Sequence, residues 1–136
     1  MANAQDPHRP FFGSNQEKNS KKNDKKRKNR QYGGGFPNVR KIYTPADVVV
    51  PKFLPDIPDI RKELAQYFTS VHRADEVVGA VLKAIDDAGV RDNTLVMFMS
   101  DHGMPLPFAK TNVWKNSTKT PDRKSVVSGK SVELGG

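Results

Sequence analysis

The sequence predicts an α/β fold, in which one long helix runs through a short polar connection into a buried strand, with long loops around them. Three observations predict it. Apolar residues recur at three- and four-residue steps from Asp59 to Ala88, the period of one helical face. Thr94 to Met99 is a continuous apolar run of strand length, as in a parallel sheet covered on both faces. Most of the sequence before Asp59 is punctuated by proline or dominated by Lys, Asn, Ser and Gly.

At 136 residues the chain has the length of one domain, yet only 35% is hydrophobic and the apolar sequence is concentrated between residues 42 and 114. Met1 opens directly into Ala2-Asn3-Ala4-Gln5-Asp6-Pro7-His8, which reads as a strand end entering a loop rather than as a native N-terminus. No apolar run is long enough to span a bilayer, and no secretory leader is visible. Zero cysteines exclude disulfides and thiolate metal sites.

Residues 13–35 lack apolar periodicity and read as a long, basic, disordered surface loop ending in Gly33-Gly34-Gly35. Lys18, Lys21, Lys22, Lys25, Lys26, Arg27, Lys28 and Arg30 stand against Glu17 and Asp24, so this stretch carries +6 of the formal net charge of +8. It is a basic insertion in a nearly neutral protein. Clustered cations bind polyanions through counterion release, but the run lacks interleaved aromatics and any reader fold, so no nucleic-acid partner is expected. Pro37, Pro45, Pro51, Pro55 and Pro58 forbid a long helix over 36–58, where Asp47 to Val50 form a short strand or pack extended.

The helical stripe comprises Ile60, Leu64, Tyr67, Phe68, Val71, Ala74, Val78, Val81, Leu82 and Ile85. Asp59 suits the N-cap and Gly89 the C-terminal stop. Residues 90–93 connect it to the strand at 94–99. A lone parallel strand leaves its backbone groups unpaired, so its partner strands are expected elsewhere, upstream of Met1.

Ligands of open α/β sheets gather at the carboxyl ends of strands, where Ser100-Asp101-His102-Gly103 falls. A carboxylate beside an imidazole, followed by a permissive glycine, suits a divalent cation; a polar turn with a surface histidine is the plainer alternative. Two prolines, Pro105 and Pro107, stiffen the segment that would hold Lys110 over the same strand end, where it suits sulfate or phosphate or is an ordinary solvated lysine. His8, within Asp6-Pro7-His8-Arg9-Pro10, suits an acid, a ligand, an anion contact or a structural turn.

Four stretches carry a family resemblance: Gln5 to Pro10, Tyr43 to Val48, Tyr67 to Asp75 leading into Val77 to Leu82, and Asn93 to Asn112. Together they resemble the sulfatase branch of the alkaline phosphatase superfamily, nearest to its heparan N-sulfatase group. The resemblance covers residues 1–121, as a fragment of an alkaline-phosphatase-like catalytic domain. It implies that Asp101 and His102 are metal ligands, the cation usually being Ca2+. It implies that Lys110 and His8 contact the substrate sulfate, that the substrate is a sulfated glycan or other sulfate ester, and that the parent is exported.

The sequence departs from the family in two respects. Formylglycine, the family's nucleophile, arises within Cys/Ser-x-Pro-x-Arg, and the chain has no cysteine and no serine followed two residues later by proline. The paired aspartates that complete the metal site are absent as well, so the chain itself is expected to be inactive. Aspartate–histidine at the metal also occurs in phosphodiesterases of the superfamily, which leaves a metal-dependent phosphoester hydrolase as the alternative. A polyanion-binding module built on the lysine run is a second. Residues 122–136 break the pattern and read as a non-native or disordered tail, Asp122-Arg123-Lys124-Ser125-Val126-Val127 resembling a translated sequencing adapter.

Overall fold

The structure, a computed structural model, describes residues 6–19, 39–100 and 102–118. The chain divides into two compact units, Met1–Val81 and Leu82–Gly136.

The long helix spans Pro58–Asp87, as the apolar period requires. Pro58 lies in its first turn, where a missing N–H costs nothing, so Asp59 acts inside that turn on the helix dipole rather than as the cap before it. At the other end Gly89 adopts φ +66°, its N–H donating to Asp86 O at 2.9 Å while Val90 N–H reaches Ile85 O at 3.3 Å. These are the two bonds of a Schellman cap, and they end the helix where the sequence indicates.

The face that the helix buries most deeply differs from the expected stripe. Leu64, Ala65, Thr69, Ser70 and Arg73 are buried, whereas Val71 is exposed. Three of those five are polar, and two of them accept amides from segments that have no ladder among the described residues. Thr69 Oγ1 accepts Tyr43 N–H at 3.0 Å and donates to Ala65 O at 2.8 Å. Ser70 Oγ accepts Phe12 N–H at 2.8 Å. Thus the helix supplies by side chain what a ladder would otherwise supply to these amides.

Residues 6–19 lie against this helix, with Phe11 buried edge-on to Tyr67 at a centroid distance of 5.5 Å. Residues 15–19, read from sequence as part of the basic loop, form a helical turn, and Glu17 within it is buried. Residues 39–57 are extended and turned, with no strand among the residues described. Val48 and Leu54 are their buried apolar anchors, and Arg61 Nη1 donates to Pro45 O and Val48 O at 3.2 Å each.

The buried strand is not formed. Residues 94–100 have no ladder partner among the described residues, and Leu95, Met97 and Met99 are 65%, 63% and 73% exposed. The apolar run is present, but a strand needs a neighbour to take its N–H and C=O groups, and none of the described segments does so. Downstream, Gly103 N–H donates to Ser117 O at 2.9 Å, closing residues 103–117 into a loop that ends in the short helix Lys115–Thr118. Leu106 and Ala109 are the buried apolar residues of that loop.

Candidate functional site

His8 is placed by its neighbours on both sides. Cis peptide bonds precede Pro7 and Pro10, Asp6 is held by Arg73, and Arg9 is paired with Glu63 of the long helix. The Arg9 guanidinium also lies 4.6 Å from the centre of the Phe11 ring, a cation–π contact. The imidazole itself is exposed, with Nδ1 2.7 Å from Arg9 O. A carbonyl only accepts, so Nδ1 carries the proton and Nε2 holds the lone pair of the neutral ring.

His102 repeats this local arrangement in the second unit. Its Nδ1 lies 2.8 Å from Gly103 O, and Ser100 Oγ donates to His102 O at 3.0 Å. In a neutral ring this contact puts the proton on Nδ1 and the lone pair on Nε2, the form in which an imidazole can ligate a metal while its other nitrogen is held by a carbonyl. Asp101, the expected carboxylate partner, lies outside the described residues. Among the residues described, no group of three His, Asp or Glu could hold a metal ion.

The glycine after it has a stricter role than backbone freedom. A Cβ at Gly103 would overlap the Asn116 carbonyl oxygen and approach Asn116 C and Ser117 Cα to 3.0 and 3.1 Å. Glycine is needed so that the two backbones can meet and the Gly103–Ser117 bond can form. Lys110 is half-buried in this closed loop, between Phe108 at φ 63° and Thr111 at φ 66°. Left-handed backbone at a β-branched threonine is unfavourable, so the surrounding loop must impose it. The Lys110 carbonyl accepts Asn112 Nδ2 at 3.3 Å.

A sulfatase family model matches residues 3–122. The chain belongs to the sulfatase family. Among its relatives, human (Homo sapiens) N-sulphoglucosamine sulphohydrolase is 41% identical over 98 residues, covering 67% of this chain and 20% of the relative. An ulvan-active sulfatase of Formosa agariphila is 32% identical over 72 residues, covering 53% of this chain and 12% of the relative. Mouse (Mus musculus) iduronate 2-sulfatase is 38% identical over 68 residues, covering 46% and 12%. This sulfatase chain thus spans a fifth or less of the length of those relatives. No solved structure matches it. Family membership implies an alkaline-phosphatase-like domain, of which the described residues form the long helix and not the sheet.

The sequence reading assigned no role to the buried ionic cluster of Arg73, Asp6 and Glu17. The helical period gave no signal for it: Arg73 lies half a turn round the helix from Leu64 and opposite the apolar stripe, on the side of Thr69, where an arginine ordinarily reads as solvated. Its partners were hidden because Asp6 lay inside a motif read for His8 and Glu17 inside a run read for its lysines.

Proposed function

We propose that this chain is part of a sulfuric ester or sulfamate hydrolase acting on sulfated glycans, exported in its complete form. The observation that carries the reading is the 41% identity to N-sulphoglucosamine sulphohydrolase over 98 residues, and the family resemblance of the segments that hold His8, His102 and Lys110 supports it. In this reading Asp101 and His102 are two ligands of a divalent cation. When bound, the cation would supply positive charge for sulfate oxygens. His8 and Lys110 contribute the protein's own charge and hydrogen bonds to the same anion. The 18–30 lysine run, whose neighbour Glu17 is turned inward to Arg73, adds a long-range attraction for a polyanionic glycan. Nothing in the chain supplies Cys/Ser-x-Pro-x-Arg, so turnover belongs to the complete enzyme.

His102 favours a second reading. Calcium prefers an all-oxygen shell, whereas an imidazole nitrogen suits zinc, as in a metal-dependent phosphodiesterase. The genomic DNA flanking the reading frame separates the two. An upstream Cys/Ser-x-Pro-x-Arg with a paired-aspartate motif supports the sulfatase, and a nucleophilic Thr or Ser without it supports the phosphodiesterase. Expression of the complete frame and assay of sulfate release from N-sulfated glucosamine then tests the activity directly.

A further inference from the structure

Two carboxylates converge on one guanidinium in the interior of the first unit. Arg73 is 0% exposed, Asp6 6% and Glu17 2% in their side chains. Arg73 grips Asp6 with Nε and Nη2 at 2.6 and 2.7 Å, and donates to Glu17 Oε1 from Nη1 at 2.9 Å. The other Glu17 oxygen accepts Gly13 N–H at 2.8 Å. Burial pulls the guanidinium pKa down, but the hydrogen bonds and charges of Asp6 and Glu17 outweigh it, so Arg73 stays charged. A buried ion cluster rarely stabilises a fold more than an apolar one of the same volume, so the geometry it imposes is the more telling property.

That geometry surrounds His8. Asp6 and Arg9, on either side of the histidine, are both anchored to the long helix, through Arg73 and Glu63. Phe12 N–H is bound to Ser70 on the next turn, and Gly13 N–H closes the segment through Glu17. The planar guanidinium fork is what allows one side chain to hold Asp6 by two bonds and Glu17 by a third; a lysine ammonium lacks the fork.

We propose that Arg73 is a positioning residue for His8, fixing residues 6–13 on the long helix so that the exposed imidazole presents Nε2 in one orientation. That the imidazole then meets a sulfate rests on the function proposed above; the placement itself does not.

The test uses the whole 136-residue chain with isotope-labelled histidine and backbone amides. His72 and His102 serve as internal references. In Arg73→Lys, the Phe12 and Gly13 amides should exchange with deuterium at least about tenfold faster, since a charge-assisted buried bond is lost. The His8 ring signal should shift to the position of a mobile histidine, while helix amides from Leu64 to Leu82 change less than about twofold. Asp6→Asn should act in the same direction and more weakly. Removal of Arg73 alone strands two carboxylates and risks unfolding, so the third variant is Arg73→Met with Asp6→Asn and Glu17→Gln. It should keep the helix and release His8. An unchanged His8 signal and unchanged Phe12 and Gly13 exchange in any folded variant overturns the proposal. So does an equal loss of protection along the helix, which would make Arg73 a general structural support. Titration with inorganic sulfate is the separate arm: a wild-type His8 signal indifferent to sulfate counts against the sulfate contact and leaves the positioning result intact.

Discussion

The closest constraint on any single residue falls on Gly103. Its Cβ-free backbone lets residues 116 and 117 approach, and a methyl group there must push a carbonyl oxygen aside. Gly103→Ala should therefore destabilise the 103–117 loop by about 1–3 kcal/mol, the usual cost of overpacking. Accelerated exchange of the Gly103 amide, with the helix around Leu64 unaffected, is the expected outcome; unchanged exchange would show that the loop yields without cost. At this scale the sequence was partly legible. The Asp101-His102-Gly103 spacing identified a corner where a glycine was needed, but the stated need was freedom of the backbone. The actual need is space for a strand of chain fourteen residues on, and a long-range approach leaves no mark in a local motif. Lys110 was singled out by its type and by the two prolines before it, whereas the left-handed Phe108 and Thr111 that flank it are not residues that announce such a backbone.

Among elements, the helix was legible almost to its ends and the strand was not realised. Period and caps are local properties, so Asp59 and Gly89 placed the ends of the helix to within two residues, although Pro58 belongs to its first turn and Asp59 is not its cap. A strand is a relation between segments, and an apolar run such as 94–99 states only one side of it. Leu95, Met97 and Met99 alternate along the extended segment and are all exposed, so this face should drive self-association of the chain. Met97→Lys is expected to slow light-scattering growth without changing helical ellipticity; equal scattering would place the adhesive surface elsewhere. The segment before the helix carries an acid-sensitive contact. Arg61 hydrogen-bonds Asp56 through both oxygens, the Nη2 bond being 2.6 Å, and this holds the Asp56 carboxyl below its ordinary value of 3.8. A side-chain hydrogen bond from Thr44, followed by its backbone N–H, does the same for Asp47. A folded pKa below the unfolded one means that the folded form binds that proton less readily. The associated stability is thus present above pH 3.8 and is lost as pH falls through the folded values. Both carboxylates are at the surface, so the loss is small, and Asp56→Asn should flatten part of the acid limb in urea melts run from neutral pH to below 3.8.

For the whole molecule, the dominant fact is coverage: a chain matched to the sulfatase family over residues 3–122 spans 20% of the human relative. The described residues bring no three metal-ligating groups together, so calcium titration of the purified chain should show no tight stoichiometric binding, and tight binding would contradict the assignment of the remaining ligands to other sequence. The basic run offers a second measurement. Replacing Lys21, Lys22, Lys25 and Lys26 with glutamine should weaken retention on an immobilised glycosaminoglycan in a salt-dependent way, and unchanged elution would remove the run from substrate capture.

The Gly103–Ser117 closure has one more consequence, for how this sequence can change length. With both ends of the loop pinned by a hydrogen bond, a change of length in its exposed part costs chiefly ring-closure entropy, which rises by roughly 0.6 kcal/mol for each doubling of the number of residues enclosed. Insertions near the exposed Val113 and Trp114 should therefore be cheap, whereas a single added carbon at Gly103 is not. The loop behaves as a clasp: its contents can be exchanged for a longer or shorter arm, while the hinge that carries His102 stays where it is.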